Sequence, residues 1–239
     1  MYKRQAYGEI NDTSGVDTLY RNIYDPSTFT GVVFKESLEK YGARVKTISK
    51  KKTSNKNYKK VSNHLSKPLI HSATNLMNES DNLSAELFVK SIGALDTLPG
   101  TWRVGLDSIK SFLAKEVLID TSNIRLADAS GVSRYNLTSA AQLNSLLKWM
   151  YNSEYKDDFI STLPGGGWEK STLEKRLIDE GDLVRAKTGG LSGVRNLAGY
   201  IKSKKYGDVA FSILMNGYTD YSSRYARVHD QIVKSIIYD

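Results

Sequence analysis

Cysteine is absent from the 239 residues, which removes disulfides, thiolate metal sites and cysteine nucleophiles together. Histidine is nearly absent: His64, His71 and His229 are the three present, and no two have metal-ligand spacing. No metal site and no cofactor is therefore expected. Proline is scarce, with 4 in the chain, and no apolar run approaches the ~18 residues that a membrane span requires. The N-terminus lacks a basic segment followed by an apolar one, so no signal peptide is visible. Acidic residues are missing from one long stretch. Between Tyr41 and Pro68 lie Arg44, Lys46, Lys50, Lys51, Lys52, Lys56, Lys59, Lys60 and Lys67, which account for the net charge of +8. A nucleic-acid binder would spread such charge over a folded face interleaved with aromatics. Here the lysines sit among Ser, Asn and Thr, which reads as a solvated loop, and no nucleic-acid partner is expected. Contact of the 41–68 segment with an anionic polymer or a membrane surface is the alternative.

What is present is an ordinary globular composition, 40% hydrophobic and 25% charged, long enough for one or two domains. Met1-Tyr2-Lys3-Arg4-Gln5 looks foreign to the rest of the chain. The expectation is a reading frame cut short here, in a protein that extends further N-terminal. Turn residues occupy 6–24 without a sustained period. From Asp25-Pro26-Ser27 a helix is predicted, with Phe29, Val33, Leu38 and Tyr41 near one face and Gly42 ending it. A second starts at Ser66-Lys67-Pro68 and carries Leu69, Ile70, Ala73, Leu76 and Met77. It runs into the turn-forming cluster Asn78-Glu79-Ser80-Asp81-Asn82. A third helix carries Leu83, Leu87, Phe88 and Ile92 and closes at Gly93.

Trp102, Leu106, Ile109 and Leu113 repeat at helical spacing. Ile124-Arg125-Leu126 is predicted as a short strand, and Ser139-Ala140-Ala141-Gln142 as a capping signature opening a helix over Leu143, Leu146, Leu147 and Met150. Strands are predicted over 182–189, 194–203 and 209–218, the last two joined as a hairpin through 204–208. A final helix has Val228, Ile232 and Ile236 as its apolar stripe. Helices first and antiparallel strands late give an α+β class, an antiparallel sheet flanked by helices.

Two patterns invite chemistry and are weak alone. Gly165-Gly166-Gly167-Trp168-Glu169-Lys170-Ser171 fails as a phosphate loop, because Glu169 stands where glycine must precede the lysine and would repel phosphate. Ser37-Leu38-Glu39-Lys40 fits S-x-x-K, which sets a serine and a lysine one turn apart. It lies on an otherwise ordinary helix beside the lysine-rich segment.

Ser80-Asp81-Asn82, Asp128-Ala129-Ser130-Gly131-Val132-Ser133-Arg134-Tyr135-Asn136 and Lys187-Thr188-Gly189 carry more weight jointly. Each alone is a helix cap, a polar turn or a strand end. In this order they resemble the low-molecular-mass (class C) penicillin-binding proteins of the D-Ala-D-Ala carboxypeptidase/endopeptidase type, whose signature set is S-x-x-K, S-D-N and K-T-G. The resemblance runs from about Asp25 to the C-terminus. Asn78-Glu79-Ser80-Asp81-Asn82-Leu83-Ser84-Ala85-Glu86 is similar to that family's second motif. Lys187-Thr188-Gly189-Gly190-Leu191-Ser192-Gly193-Val194, ending in Leu197-Ala198-Gly199-Tyr200, is similar to its third.

The resemblance implies a β-lactamase/transpeptidase-like fold and an exported, extracytoplasmic enzyme. Its substrates would be peptidoglycan stem peptides ending in D-Ala-D-Ala, and β-lactams its inhibitors. Lys187 and Thr188 are implied to hold the substrate carboxylate, and Gly189 to admit the substrate backbone as an added strand. Gly190 is implied to give an oxyanion-hole N–H; the family often has a hydroxyl residue there. Ser80 is implied to relay a proton to the leaving D-Ala amine, and Asn82 to bind the substrate carbonyl. Strand alternation points Lys187 and Thr188 to opposite faces, so one ligand meets both only along the strand edge.

In this family the S-x-x-K segment lies far N-terminal, beyond large insertions, and Ser37 is too close to Ser80 for that layout. The expectation is a fold incomplete at the N-terminus: 1–40 as a foreign-looking start and the tail of an inserted region, and 41–239 as the C-terminal portion of the penicillin-binding domain, with the nucleophile elsewhere. Two competing readings stay open. A class A β-lactamase needs an E-x-x-L-N loop, and none occurs from Leu83 to Ala186. A non-catalytic envelope-binding module would use the lysines of 41–68.

Overall fold

The computed structural model describes residues 23–51 and 60–239. They divide between two compact units, Met1–His64 and Leu65–Asp239. The foreign-looking start at Met1–Gln5 and Lys52, Lys56 and Lys59 of the basic segment lie outside the described residues.

In the first unit, helix α1 (Pro26–Lys40) begins where predicted. Asp25 caps it by accepting from the Thr28 backbone N–H at 3.2 Å and the Thr28 hydroxyl at 2.8 Å. Gly42, at φ +86°, lets the chain turn out of the helix. The expected apolar face is not a buried one: no residue of α1 is buried, and Phe29 and Tyr41 are exposed. Within this unit Ile48 lies against α1, where a Cβ on Gly31 would sit 2.8 Å from its side chain. Among the described basic residues of the 41–68 segment, Lys50 is paired, its ammonium bonding the Asp25 carboxylate.

The second unit opens with α2 (Leu69–Glu79) and α3 (Asn82–Asp96), followed by α4 (Trp102–Lys115). Pro68 stands one residue outside α2, as its N-cap. Gly93 does not close α3, which runs on to Asp96. Gly93 is buried where α3 meets α4: a Cβ there would sit 2.8 Å from the Thr101 carbonyl oxygen. Across the same crossing, a Cβ on Gly105 would lie 2.0 Å from the Val89 carbonyl oxygen. These glycines permit backbone contact between helices, which a local sequence signal cannot distinguish from a helix stop.

The predicted strand at Ile124-Arg125-Leu126 reduces to one antiparallel bridge, Arg125 to Leu137. Asn136 Oδ1 captures the N–H groups of Ala127 and Asp128 at 2.7 and 3.3 Å, so the chain bends instead of extending. Helix α5 (Ala140–Tyr151) has the complete capping box of Ser139 and Gln142. A short α6 (Lys156–Thr162), not foreseen, comes next.

The sheet is β1 (Val184–Leu191), β2 (Val194–Ser203) and β3 (Gly207–Asn216), antiparallel in the order β1-β2-β3. β1 begins two residues late because Gly181–Leu183 forms a 3-10 turn. One sheet face presents Val184, Ala186, Leu197, Ile201 and Phe211 to helix α7 (Ser222–Tyr238). The buried residues of α7 are Ala226, His229, Val233 and Ile237, one step round from the predicted stripe, and Val228 and Ile232 are exposed. Selecting β-branched residues missed the true face because it contains an alanine and a histidine. The opposite sheet face sets Tyr200 against Leu147 and Leu163, and its hydroxyl donates to the Leu147 carbonyl at 2.8 Å, tying sheet to α5.

The α3–α4 crossing yields a test. Gly105→Ala forces the helices apart and should lower stability by roughly 1–3 kcal/mol, as overpacking does. Urea unfolding would show it as a fall in midpoint at unchanged slope.

Candidate active site

Ser80 is placed by the junction of two helices. It ends α2 in the left-handed region, at φ 59° and ψ 48°, with its N–H bonded to the Leu76 carbonyl. A non-glycine residue holds that conformation at a cost of about 1–3 kcal/mol, so the surroundings must fix it. Asp81 does part of this by capping α3: its carboxylate accepts from the N–H groups of Leu83 at 3.1 Å and Ser84 at 3.3 Å. The Ser84 hydroxyl, foremost, and these amides hold the Asp81 carboxyl below its ordinary range. Asn78 anchors the end of α2, donating to the Thr162 carbonyl at 3.1 Å and accepting from the Thr172 N–H at 3.0 Å.

Lys187 reaches this junction from β1. Its Nζ donates to Ser80 Oγ at 2.7 Å and to the Thr188 carbonyl at 2.8 Å. Burial pushes its pKa down to about 8 from 10.5. At neutral pH the ammonium form still predominates, but it gives up its proton more readily than an ordinary lysine, and it is hydrogen-bonded to a hydroxyl. That pair can pass a proton outward through Ser80.

The expected residues converge in part. Thr188 lies on the opposite sheet face from Lys187, as alternation requires, since Ala186 on the Thr188 side is in the α7 core. Asn82 is the first residue of α3; it is exposed, and its side chain makes no hydrogen bond among the described residues. Gly189 and Gly190 lie on β1 opposite Asn196 and Arg195.

Two features carried no functional signal in the sequence. The first is Pro164-Gly165. β1 is an edge strand, yet Gly165 bridges Arg185 and the Pro164 carbonyl accepts from the Ala186 N–H at 3.0 Å. Among the described residues the edge of β1 is thus covered up to Ala186 and open from Lys187 onward. The glycine loop rejected as a phosphate site serves this purpose. Its Trp168 stacks on the Arg185 guanidinium at 4.0 Å and donates to Asp182 at 3.2 Å.

The second is Glu86. Its Oε1 accepts from the N–H groups of Ala129 and Ser130 at 3.3 and 2.9 Å, so α3 holds the 128–136 loop. Within that loop Asp128 accepts from the Gly131 and Ser133 amides at 2.8 and 2.6 Å and from the Asn136 side chain at 2.6 Å. Arg134 then donates to the Ser192 carbonyl at 2.7 Å, joining the loop to the turn after β1. The three motifs are in this way parts of one connected structure. Beside Lys187 and Thr188 opens a cavity of about 780 Å³, walled by Met77, Leu143, Leu147 and Phe159, a size and apolar character suited to a ligand.

Two outcomes are expected. Lys187 should titrate near pH 8, measured by NMR of the side-chain amine against the ordinary lysines. Its folded pKa lies below its unfolded one, so the unfolded chain binds the extra proton between about pH 8 and 10.5, and this group makes stability rise across that window. Glu86→Ala should release the 129–130 amides, raising their hydrogen exchange and lowering stability by about 1–3 kcal/mol.

Residues 4–235 match the D-Ala-D-Ala carboxypeptidase 3 (S13) family, beginning upstream of Asp25, where the resemblance read from motifs starts. The chain is 32% identical over 212 residues to the D-alanyl-D-alanine carboxypeptidase of Actinomadura sp., over 84% of this chain and 39% of that protein. It is 34% identical over 160 residues to D-alanyl-D-alanine carboxypeptidase DacB of Haemophilus influenzae, over 65% of this chain and 33% of that protein. Penicillin binding protein 4 (dacB) from Haemophilus influenzae, solved in complex with a novel β-lactam, superposes with a TM-score of 0.76 at 26% identity. That superposition covers 91% of this chain and 52% of the other. The chain thus spans between a third and two-fifths of the length of these two curated relatives. The α+β architecture read from the sequence is that of this solved relative. The comparisons and the geometry agree that this chain belongs to the D-Ala-D-Ala carboxypeptidase 3 (S13) family.

Proposed function

We propose that this chain carries the substrate-binding and proton-relay part of a serine-type D-Ala-D-Ala carboxypeptidase/endopeptidase, acting on peptidoglycan stem peptides outside the cytoplasm and acylated by β-lactams. The observation that carries this reading is the Lys187 Nζ–Ser80 Oγ hydrogen bond of 2.7 Å, made at the residue where the β1 edge becomes free.

A peptide ending in D-Ala-D-Ala lies along the open edge from Lys187 to Leu191 as an added antiparallel strand. Its carboxylate meets the Thr188 hydroxyl and the positive potential of Lys187. The scissile carbonyl sits near the Gly190 N–H, which stabilises the oxyanion of the tetrahedral intermediate. Ser80, polarised by Lys187, hands a proton to the departing D-Ala amine. Asn82, free of other partners among the described residues, turns its amide to the substrate's peptide carbonyl. The acyl-enzyme forms on a serine of an S-x-x-K segment other than Ser37-Leu38-Glu39-Lys40, and residues 1–40 are the foreign-looking start and the tail of an inserted region. Ser37 is not that serine in this reading, and its Oγ donates to the Val33 carbonyl at 2.8 Å within its own helix.

Two measurements test the reading. In the protein carrying the S-x-x-K segment, Ser80→Ala should lower the turnover of a D-Ala-D-Ala peptide by about 10²–10⁴-fold, the range for loss of a proton-transfer group. The 239-residue chain alone should form no covalent adduct with a labelled penicillin. A stoichiometric adduct on Ser37 would contradict the placement of the nucleophile.

A further inference from the structure

Gly190 is paired with Arg195 across β1 and β2, and Thr188 with Leu197. Alternation places all four on the sheet face that α7 covers lower down. Gly190 is exposed and has no side chain to fill the space above it. A Cβ there would lie 3.1 Å from Arg195 Nη1 and 3.8 Å from its Cδ, so the guanidinium rests against the Gly190 backbone.

Arg195 makes no salt bridge and no side-chain hydrogen bond among the described residues, and its buried Nε has no partner. Asp230 lies near enough to attract Arg195, but its hydrogen bonds go to another arginine. Asp230 is held by Arg176 through Nη2 at 2.7 Å and Nε at 3.2 Å. Tyr218 and His229 are further titratable neighbours, and the Tyr218 hydroxyl and both His229 ring nitrogens are buried without a partner. Burial first, and Arg176 second, disfavour the charge on Arg195. An arginine in that position stays charged, and it is unfavourable until an anion arrives.

We infer that Arg195 is a specificity-determining cation for the terminal carboxylate of the substrate, reaching it beside Thr188 through the space that Gly190 leaves open. The inference rests on the reading of the β1 edge as the substrate strand, and it divides the labour there. Lys187, on the opposite face and committed to Ser80 and the Thr188 carbonyl, serves the proton relay. Arg195, on the Thr188 face, supplies the permanent charge, in a fork that matches a carboxylate. Gly190 is then required twice, for its backbone N–H and for its lack of a side chain.

The test uses the 239-residue chain, with N-acetyl-D-alanyl-D-alanine and its C-terminal amide as ligands. NMR titration would follow the Arg195 Nε–Hε and the Gly189 and Gly190 amides. The free acid should bind wild type at least about 10-fold more tightly than the amide, as expected for a hydrogen bond to a charged group. Arg195→Gln should abolish that preference while leaving the amide's affinity unchanged. Removing an unpaired charge should not lower Tm, so the variant remains readable. Gly190→Val, which crowds the guanidinium, should reduce the preference with Arg195 still present. If Arg195→Gln binds the free acid as wild type does, the inference is overturned while the edge reading stands. If neither ligand shifts Gly189 or Gly190 in wild type, the edge reading falls and this inference with it.

Discussion

The hydrogen bond from Lys187 to Ser80 joins segments 107 residues apart, and the rest of the second unit is arranged so that it can form. Each end is over-determined. Ser80 is in a left-handed conformation fixed by the α2 terminus, the Asp81 cap and the Asn78 anchor. Lys187 is fixed by the register of β1 on β2, whose inner face is sealed by α7 and whose outer face is tied to α5 by Tyr200. Burial lowers the Lys187 pKa to about 8, and the buried amine donates hydrogen bonds to a hydroxyl and a carbonyl, which offset its desolvation.

The same construction explains why β1 is open where it is. An uncovered strand edge exposes unpaired backbone groups and invites pairing with other chains. This protein covers the edge with Pro164-Gly165 as far as Ala186 and leaves the remainder to the site. Small residues at 189 and 190 keep that open segment accessible to another backbone. The tightly bonded 128–136 loop, pinned by Glu86 and Arg134, borders it.

Much of this was legible in the sequence because it depends on local chemistry. Asp25, Ser139 with Gln142, and the turn cluster around Ser80 announce helix ends through their own side chains, and the structure places them there. What was illegible depends on distant partners. Gly93 looks like a helix stop until α4 is laid across it. The face of α7 is set by which side the sheet covers, and a buried alanine and histidine do not advertise it. Ile124-Arg125-Leu126 has the composition of a strand, and Asn136 diverts it. At the site, motif order alone pointed to Lys187, Thr188 and Ser80 as one cluster. The opposed faces of Lys187 and Thr188 follow from alternation, but the Arg195 guanidinium against Gly190 needed the register.

Ser80 and Lys187 are assigned to act as one unit in proton transfer. A double-mutant cycle tests that assignment most directly, using Ser80→Ala, Lys187→Ala and the pair, with D-Ala-D-Ala peptide turnover measured in the protein that carries the S-x-x-K segment. Residues acting as a unit give a double variant little worse than either single one. That result is the expected one; effects that multiply would contradict it.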